Sequence, residues 1–417
     1  MLTVALLALV TRAVSQGFPE TCPSVPPYNP NATLGVCPTD FTIIGPALEA
    51  VHESETAPTG FAVDNTLGIY LTYPRNTGAT PVNVAKATSF ASEEPWPNAA
   101  IQNCTTGQDL AECFINVQNV VLDSVGQLWV VDSGIKPGAK TASSRGAKII
   151  SFNQTTGDAI RTYTIPDALL YDSMNANDVR INNTLGAAGY AFITDESASG
   201  SVLAINLDDG SVVRRLYNTT VVKADPKYVG SYNGEPIYLW NGTTKSYATT
   251  GADGIALASG NVYWGVLASR RFYYISQEIL VDASLSDDDV LAAVQDPGQL
   301  GSEQAGFTAD DRGRVYMLAS EQNAIYYVDT QQCETTQEVN GTPAGGSGPV
   351  ATDNYVVKTL VRSGLIQHAD SAAILDGWLY FCTNQLELSP GRQYKNVDAR
   401  RGPFRSYRTW IGTGPAF

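Results

Sequence analysis

Short runs of alternating apolar and polar residues, rather than helical repeats, dominate this chain. Six segments share one pattern, in which a polar or glycine turn separates two runs that are rich in β-branched and aromatic residues. This pattern predicts a β-hairpin of two buried strands. The hairpins begin at Thr59, Gln118, Asn177, Asp253, Ala305 and Asp370. They follow one another at roughly 50 to 75 residues, a spacing typical of propeller repeats.

A single hairpin cannot bury both of its faces, so the repeats must pack against one another. Further strand-like runs, such as FYYISQEIL and AIYYVDT, lie between the hairpins and would form the outer parts of the blades. The pattern therefore predicts an all-β fold, a six-bladed β-propeller with a central ligand tunnel. A pair of β-sandwiches is the alternative, although it does not predict six hairpins in phase. One segment, Leu285–Val294, has a helical period and an acidic first turn.

The N-terminal residues are typical of a secretory signal. An apolar run over residues 2–10 precedes the small residues Ala13, Val14 and Ser15, so we predict a signal peptide at 1–15. Residues 16–44 are rich in proline and are interpreted as a disulfide-tied strap. Residues 45–417 form the single propeller domain with a C-terminal closing segment. The basic tail at 392–412 is expected to pack on the body with Phe404 and Trp410 buried.

Cysteines and glycosylation sequons agree with secretion. Six cysteines suggest three disulfides, and six allow 15 pairings. The pairing that closes the shortest loops is Cys22–Cys37, Cys104–Cys113 and, by elimination, Cys333–Cys382. Sequons for N-glycosylation occur at Asn31, Asn103, Asn153, Asn182, Asn218, Asn241 and Asn340. We therefore expect an extracellular glycoprotein, or one resident in the lumen of the secretory pathway.

The net charge of −15 would repel phosphate backbones, so nucleic acid is not expected as a partner. No run after the signal is long and apolar enough to span a membrane. We expect a soluble monomer whose partner is an aromatic or terpenoid small molecule.

The first residues of the inner strands are the candidate site, because in a propeller they face the central mouth. Most of these residues and their neighbours carry carboxamides or carboxylates, which bind ligands through hydrogen bonds and can accept protons. The predicted ligand-binding residues are Thr59, Gln118, Asn119, Asn177, Asp178 and Gln304. The predicted catalytic residues are His368, Asp370 and Asp253. Each could instead cap a turn or bond to an adjacent blade.

The sequence lacks the residues that several classes of enzyme chemistry require. The two histidines, His52 and His368, cannot form a histidine-rich zinc site. The sequence contains no nucleophile elbow, no zinc-protease motif and no dinucleotide fingerprint. No cofactor and no metal are therefore predicted. A Ca²⁺ site built from Asn119, Asn177 and Asp253 is the one metal alternative.

Several stretches resemble the yellow/major royal jelly protein family in its fungal branch. They are VQNVVLDSVGQLWVVDSG, EEPWPN, GADGIALASGNVYWGVLASRRFYYISQEIL and QAGFTADDRGRVYMLASEQNAIYYVD, and the likeness extends over roughly residues 45 to 385. The resemblance implies a secreted six-bladed propeller whose tunnel binds small aromatic or amphipathic molecules. Members of the family include food proteins, amine-binding salivary proteins and proteins linked to pigment chemistry.

Some related fungal propellers are similar to hetero-Diels–Alderases of tropolonic sesquiterpenoid biosynthesis. The resemblance therefore implies a cofactor-free enzyme of secondary metabolism that joins a tropolone quinone methide to a humulene-type terpene. Such a reaction depends mainly on orientation and on a hydrogen bond to the heterodiene carbonyl. Two alternatives remain: a non-catalytic binding protein for small aromatic molecules, and a Ca²⁺-dependent lactonase-like hydrolase.

Overall fold

Each predicted hairpin forms the two innermost strands of a separate antiparallel sheet. The computed structural model describes residues 41–75, 82–332 and 348–417, together with the backbone of two short strands, Glu338–Val339 and Thr342–Pro343. The six inner strands contact their neighbours in a closed ring around one axis. The chain is therefore a six-bladed β-propeller, as the spacing of the hairpins predicts.

The blades follow the chain in order, and each runs from the axis outwards. The strands are Phe61–Val63, Ile69–Thr72, Val84–Ser89 and Ser92–Pro95 in blade 1; Val117–Leu122, Gln127–Asp132, Lys148–Asn153 and Ala159–Thr164 in blade 2; and Ala176–Asn182, Tyr190–Asp195, Ser201–Asn206 and Val212–Arg215 in blade 3. They continue with Ala252–Ala258, Asn261–Val266 and Phe272–Ser276 in blade 4; Gln304–Ala309, Arg314–Ala319, Ala324–Asp329 and Lys358–Arg362 in blade 5; and Ala369–Leu375, Trp378–Thr383, Phe404–Trp410 and Glu49–Ser54 in blade 6.

Blade 6 closes the ring with strands from both ends of the described chain. Its outermost strand, Glu49–Ser54, pairs antiparallel with Phe404–Trp410. An ion pair of 2.7 Å between Arg405 Nε and Glu53 Oε1 reinforces this pairing. Phe404 is buried as predicted, whereas the prediction for Trp410 is wrong, because 52% of its surface is exposed.

Blade 4 departs from the four-stranded pattern. Its third strand passes directly into a helix, Gln277–Val281, so the predicted outer run FYYISQEIL is half strand and half helix. The helix predicted within residues 285–294 is present at Asp287–Ala293. Ser286 and Asp289 form a capping box at its N-terminus, which satisfies backbone N–H groups that have no partner within the helix.

A recurring aspartate explains why the hairpin sequences look alike. In blades 1, 2 and 5 an Asp in the hairpin turn accepts hydrogen bonds from two turn N–H groups and from an aromatic side chain six residues later. The pairs are Asp64–Tyr70, Asp123–Trp129 and Asp310–Tyr316, at 2.8, 2.8 and 2.9 Å. Each bond satisfies a buried polar atom and fixes the turn.

Six apolar clusters of the described core fill the six interfaces between adjacent blades. The buried tryptophans Trp129 and Trp264 both come from second strands. Because every blade needs two neighbours to cover its faces, the ring is stable only when it is complete.

The remaining described elements are short. Two hairpins, Gly230–Tyr232 with Glu235–Ile237 and Leu239–Asn241 with Thr244–Ser246, lie between blades 3 and 4. Strands Gln331–Gln332 and Gly348–Pro349 also pair. Short 3-10 helices occupy Leu110–Glu112, Asp167–Leu169, Ser320–Gln322, Thr352–Asn354, Leu386–Leu388, Pro390–Arg392 and Tyr394–Asn396. None of the described helices has the length and apolarity needed to cross a bilayer.

One predicted disulfide is confirmed and one is wrong. Cys104 and Cys113 are joined. Cys382 is a free, buried thiol that donates to the carbonyl oxygen of Thr59 at 3.4 Å, so it is not paired with Cys333. The second strand of blade 6 places Cys382 in the apolar core against blade 1, which explains its isolation. Cys22, Cys37 and Cys333 lie outside the described residues, as do the signal peptide, most of the strap, and the sequons at Asn31 and Asn340.

Candidate functional site

Bulges in the inner strands direct polar side chains into the axis. In blades 2 to 6 the register between the inner strand and its partner shifts one to two residues after the inner strand begins. A bulge leaves residues unpaired and re-aims their side chains. The shifts fall at residues 117–119, 176–179, 252–255, 304–307 and 369–372, which are the positions of the predicted ring.

A cavity of about 260 Å³ lies at this end of the axis, and we call it the upper cavity. Its lining consists of Thr59, Gln118, Asn177, Glu196, Leu239, Thr250, Asp253, Leu267, His368, Asp370, Leu386, Ser389, Gly391 and Arg392. Six of the nine predicted site residues therefore meet here: Thr59, Gln118, Asn177, Asp253, His368 and Asp370. They come from blades 1, 2, 3, 4 and 6.

The other three predicted residues lie elsewhere. Asn119 and Asp178 sit one position further along their strands, below the upper cavity, where the Asn119 amide donates to Asp178 at 2.5 Å. Gln304 is fully buried between blades 4 and 5 and donates to the carbonyl oxygen of Arg271 at 2.7 Å. It does not line the cavity, because it is the paired residue before the bulge, equivalent to Ala252 and Ala369, and the residue equivalent to Asp253 and Asp370 in its strand is Ala305.

Three carboxylates face the upper cavity, and each is held by one carboxamide. Asn175 donates to Glu196, Asn177 to Asp253 and Asn384 to Asp370. Neither Glu196 nor Asp253 has an ion-pair partner among the described residues, and the nearest cationic group to Asp370 is His368 Nε2 at 4.0 Å. The two basic side chains of the lining are already paired with other carboxylates, His368 with Glu387 and Arg392 with Glu303, so the three acids share little countercharge.

The acids keep their protons to unusually high pH. Burial, followed by repulsion from Asp370 and Asp195, raises the pKa of Glu196 to about 7. Burial and the charges of Glu196 and Asp370 hold the pKa of Asp253 well above its ordinary value. Burial also raises the pKa of Asp370 to about 6. Near neutral pH the empty cavity thus contains carboxyl groups poised between their neutral and charged forms.

His368 connects the cavity to a buried charge network. Its Nδ1 lies 2.7 Å from Glu387 Oε1, and Nε2 is buried without a hydrogen-bond partner. Burial lowers the pKa of His368, but the charge and hydrogen bond of Glu387 outweigh it, so the pKa is raised overall. On the other side of the network, Arg392 donates to Glu303 at 2.7 Å. The protonated imidazole would therefore present one N–H without a partner at the cavity wall.

Below the upper cavity lies a level that we call the neck, formed in each blade by the residue after the one at the start of the hairpin. These residues are Gly60, Asn119, Asp178, Gly254, Gly306 and Ser371. A Cβ at Gly254 would overlap the carbonyl oxygen of Ala305, and one at Gly306 would overlap that of Asp370. Ser371 donates to Asn119 at 3.2 Å, and Arg180 donates to Asp178 at 2.6 Å. The polar side chains close the predicted tunnel at this level, which divides it into two chambers.

The described residues include no group of three or more His, Cys, Asp and Glu arranged to hold a metal ion. The predicted Ca²⁺ set is not brought together, because Asn119 lies in the neck with its Oδ1 accepting from Val120 N and Ser371 Oγ. The amide of Asn177 is turned so that its nitrogen, a donor, meets Asp253.

Loops between the blades cover the upper cavity. The hairpin Leu239–Asn241/Thr244–Ser246 packs on the loop between the second and third strands of blade 6, where Trp240 and Tyr394 meet edge to face at 5.1 Å. Asn396 donates to the carbonyl oxygen of Trp240 at 2.9 Å. Leu239 and Leu386 reach the cavity from these two segments, which together form a cap.

Four charged residues of this site were missed by the sequence prediction. Glu196 directly follows the second strand of blade 3, and that end of the strand reaches the same mouth as the start of the inner strand. Its place at the end of a predicted second strand could therefore have identified Glu196 from the sequence. Glu303, Glu387 and Arg392 come from loops, and their approach depends on the path of the chain between strands, which the alternating pattern does not describe.

Comparisons with known proteins agree with this architecture. The family model described as Major royal jelly protein matches residues 115–345, more than half of the 417 residues. Major royal jelly protein 7 from Apis mellifera is 23% identical over 189 residues, which cover 42% of this chain and 38% of that protein. The matched region is therefore well under half of that relative's length.

Solved propellers are similar to the chain over most of its length. A luciferin-regenerating enzyme is 13% identical with a TM-score of 0.49, covering 89% of this chain and 98% of its own. A gluconolactonase from Xanthomonas campestris is 11% identical with a TM-score of 0.46, covering 95% and 99%. Virginiamycin B lyase from Staphylococcus aureus is 12% identical with a TM-score of 0.40, covering 89% and 100%.

Proposed function

The chain belongs to the major royal jelly protein family, and from that premise we propose that its upper cavity binds a small organic cation, such as a primary amine. The observation that carries the proposal is the set of three carboxylates, Glu196, Asp253 and Asp370, facing one cavity. A bound ammonium would supply the countercharge that they lack. The ion pairs would form in a partly desolvated chamber, where they are stronger than in water.

The volume and the lining of the upper cavity suit a small ligand. The volume of about 260 Å³ lies just below the range of about 300 to 1,000 Å³ usual for sites of drug-sized molecules. Leu239, Leu267 and Leu386 provide apolar surface beside the acidic groups. A compact amine with a short apolar body could bury that body against the leucines and donate from its ammonium to the carboxylates.

Binding of a cation should release protons. The raised pKa values of Glu196 and Asp370 fall when a positive charge arrives, because the charged carboxylate becomes the favoured form. The affinity for an amine should therefore rise as the pH increases from about 5 to about 8, as long as the amine stays protonated.

Isothermal titration calorimetry with 2-phenylethylamine and its neutral isostere 2-phenylethanol tests the proposal. We expect the amine to bind at least tenfold more tightly, with proton release visible in two buffers of different ionisation enthalpy. Asp253→Asn and Asp370→Asn should each weaken binding tenfold or more, whereas the exposed control Asp208→Asn should not. Equal affinity for amine and alcohol, or no binding of either at 10 mM, would overturn it.

The cyclase implied by the resemblance stays a prediction. It requires a quinone methide and humulene together in one chamber, and the upper cavity is small and acidic for that task. Incubation with the quinone-methide precursor and humulene tests it directly. Formation of the cycloadduct by the parent and its loss in Asp253→Asn would establish an enzyme in place of a binding protein.

Secretion also stays a prediction. The Cys104–Cys113 disulfide and membership of the family are consistent with an oxidising compartment. Expression with residues 1–15 attached to a reporter protein would test whether this segment directs export.

A further inference from the structure

A second cavity, of about 560 Å³, lies at the opposite end of the axis, and we call it the lower cavity. We propose that the lower cavity is a separate binding site for an amphipathic carboxylate, a molecule with an aliphatic chain of fatty-acid type. The proposal stands on the apolar walls of the cavity, on a guanidinium at its floor, and on an exposed aromatic rim.

The apolar part of the lower cavity wall comes from the far ends of the inner strands. Every inner strand contributes, and the apolar lining includes Phe61, Val63, Val121, Ile181, Leu257, Ala309, Ile374 and Leu375. Each of these side chains is between 1% and 9% exposed, which is the surface left towards the cavity. The volume is in the range of about 300 to 1,000 Å³ that is common for small-molecule sites.

Arg180 provides a polar floor. Its Nη1 donates to Asp178 at 2.6 Å and to the carbonyl oxygen of Val179 at 2.7 Å, and its Nη2 donates to the carbonyl oxygen of Phe307. A guanidinium has five N–H groups, so two remain outside these bonds and are available to a carboxylate. Burial raises the pKa of Asp178, and the charge of Arg180 opposes that rise across an ion pair of 2.6 Å.

The rim of the lower cavity combines apolar surface with a second cation. Trp410 and Phe417 are 52% and 49% exposed, although both line the cavity. An exposed aromatic side chain beside an apolar chamber is typical of a surface that a ligand covers. Arg312 is exposed at the same rim, and no ion pair of its side chain is present in the described structure. It would attract an anion towards the mouth.

The two cavities would select opposite charges. The neck separates them, with Arg180 facing downwards and the acids Asp253 and Asp370 facing upwards. An anion in the upper cavity would meet three buried carboxylates, whereas the floor of the lower cavity offers it Arg180. Three aspartates also line the lower cavity, but Asp123 is already bonded to turn N–H groups and to Trp129, and Asp311 and Asp376 are exposed at the rim, where solvent screens their charge. The bound carboxylate would therefore lie against Arg180, with its chain running along the aliphatic walls towards Trp410.

Dodecanoate, used below its micellar concentration, is the probe, with dodecan-1-ol and dodecyltrimethylammonium as chain-matched controls. We expect dodecanoate to change tryptophan emission by shielding Trp410, and to bind at least tenfold more tightly than either control. Ala373→Phe, which fills part of the wall, and Arg180→Met should each weaken binding tenfold or more. Asp370→Asn in the upper cavity should leave dodecanoate binding within twofold of the parent.

Two results with these controls would contradict a carboxylate site in the lower cavity. Equal binding of dodecanoate and dodecan-1-ol would show apolar adsorption without recognition of the head group, and would overturn the proposal. Binding of dodecanoate that is unaffected by Ala373→Phe would place it elsewhere on the protein, with the same consequence. Arg180→Met could fail to fold, because Arg180 also bonds to Asp178 in the neck. In that case the affinities of the three probes for the parent and for Ala373→Phe still test the proposal.

Discussion

His368 Nδ1 lies 2.7 Å from Glu387 Oε1, while its Nε2 faces the upper cavity 4.0 Å from Asp370 Oδ2. One imidazole therefore joins a buried carboxylate to a carboxyl group on the cavity wall. Glu387, from the loop between the second and third strands of blade 6, is the closer partner, although Asp370 is the neighbour in sequence. This arrangement keeps a positive charge beside an acidic cavity.

Glu387→Gln should lower the pKa of His368. The raised pKa depends on Glu387, and without that charge burial would dominate and lower it. NMR titration of the imidazole signals measures the change, with His52, the only other histidine, as the internal reference. A pKa of His368 that stays raised in the variant would contradict the assignment.

The same substitution should destabilise the protein at acidic pH. A histidine whose pKa is raised on folding contributes stability below its unfolded pKa, and this stability is lost as the pH rises through its folded pKa. Removing one partner of a buried pair typically costs about 3 to 5 kcal/mol. We expect the free energy of unfolding, measured with urea, to fall by about that amount at pH 5.5 and by less at pH 9. The exposed Glu278→Gln is the control.

Asp370→Asn should stabilise the empty protein above neutral pH. The folded pKa of Asp370 is about 6 against an ordinary 3.8, so the folded state holds a proton that the unfolded chain releases. Stability therefore declines as the pH rises from about 4 to about 6 and stays lower above it. The variant lacks this decline, and we expect a gain of about 1 to 2 kcal/mol at pH 8 but little at pH 4. Urea unfolding across this range checks it, and a variant that follows the parent curve would contradict it.

Gly254→Ala should disrupt the neck. The added Cβ would overlap the Ala305 carbonyl oxygen of the next blade, and backbone atoms in a closed ring cannot move aside freely. Overpacking of this kind costs about 1 to 3 kcal/mol or more. Gly391→Ala is the matched control, because a Cβ there meets no atom within 4 Å. Thermal unfolding of the two variants should differ by several degrees, and equal melting temperatures would show that the ring relaxes.

N-glycans should occupy four of the five described sequons when the chain passes through a eukaryotic secretory pathway. Asn103, Asn153, Asn218 and Asn241 are exposed. Asn182 is half-buried, and its amide nitrogen, the atom that a glycan would modify, donates to Gln277 at 2.6 Å. Site-resolved mass spectrometry after glycosidase treatment in heavy-oxygen water measures the occupancy. High occupancy at Asn182 would show that glycosylation precedes the closure of blades 3 and 4.

The local pattern of apolar and polar residues determined the six repeated hairpins and most of the residues that meet at the upper cavity. Alternation and turn residues act over a few positions, so the sequence alone predicted all six hairpins, the helix near Leu285 and the closure of the Cys104–Cys113 loop. The start of each inner strand faces one mouth in any propeller. For this reason residues such as Thr59, Asn177 and Asp253 could be assigned to one cavity from their place in the repeat.

Only the tertiary structure decided which groups meet and where the channel closes. Gln304 precedes the residue that faces the axis and points into a blade interface, and Asn119 and Asp178 follow such residues and lie in the neck, because successive side chains of a strand point to different sides. Glu387 and Arg392 reach the site through loops whose path depends on packing against distant segments. The raised pKa values follow from these long-range approaches and from burial, and neither property is written in the spacing of residues along the chain.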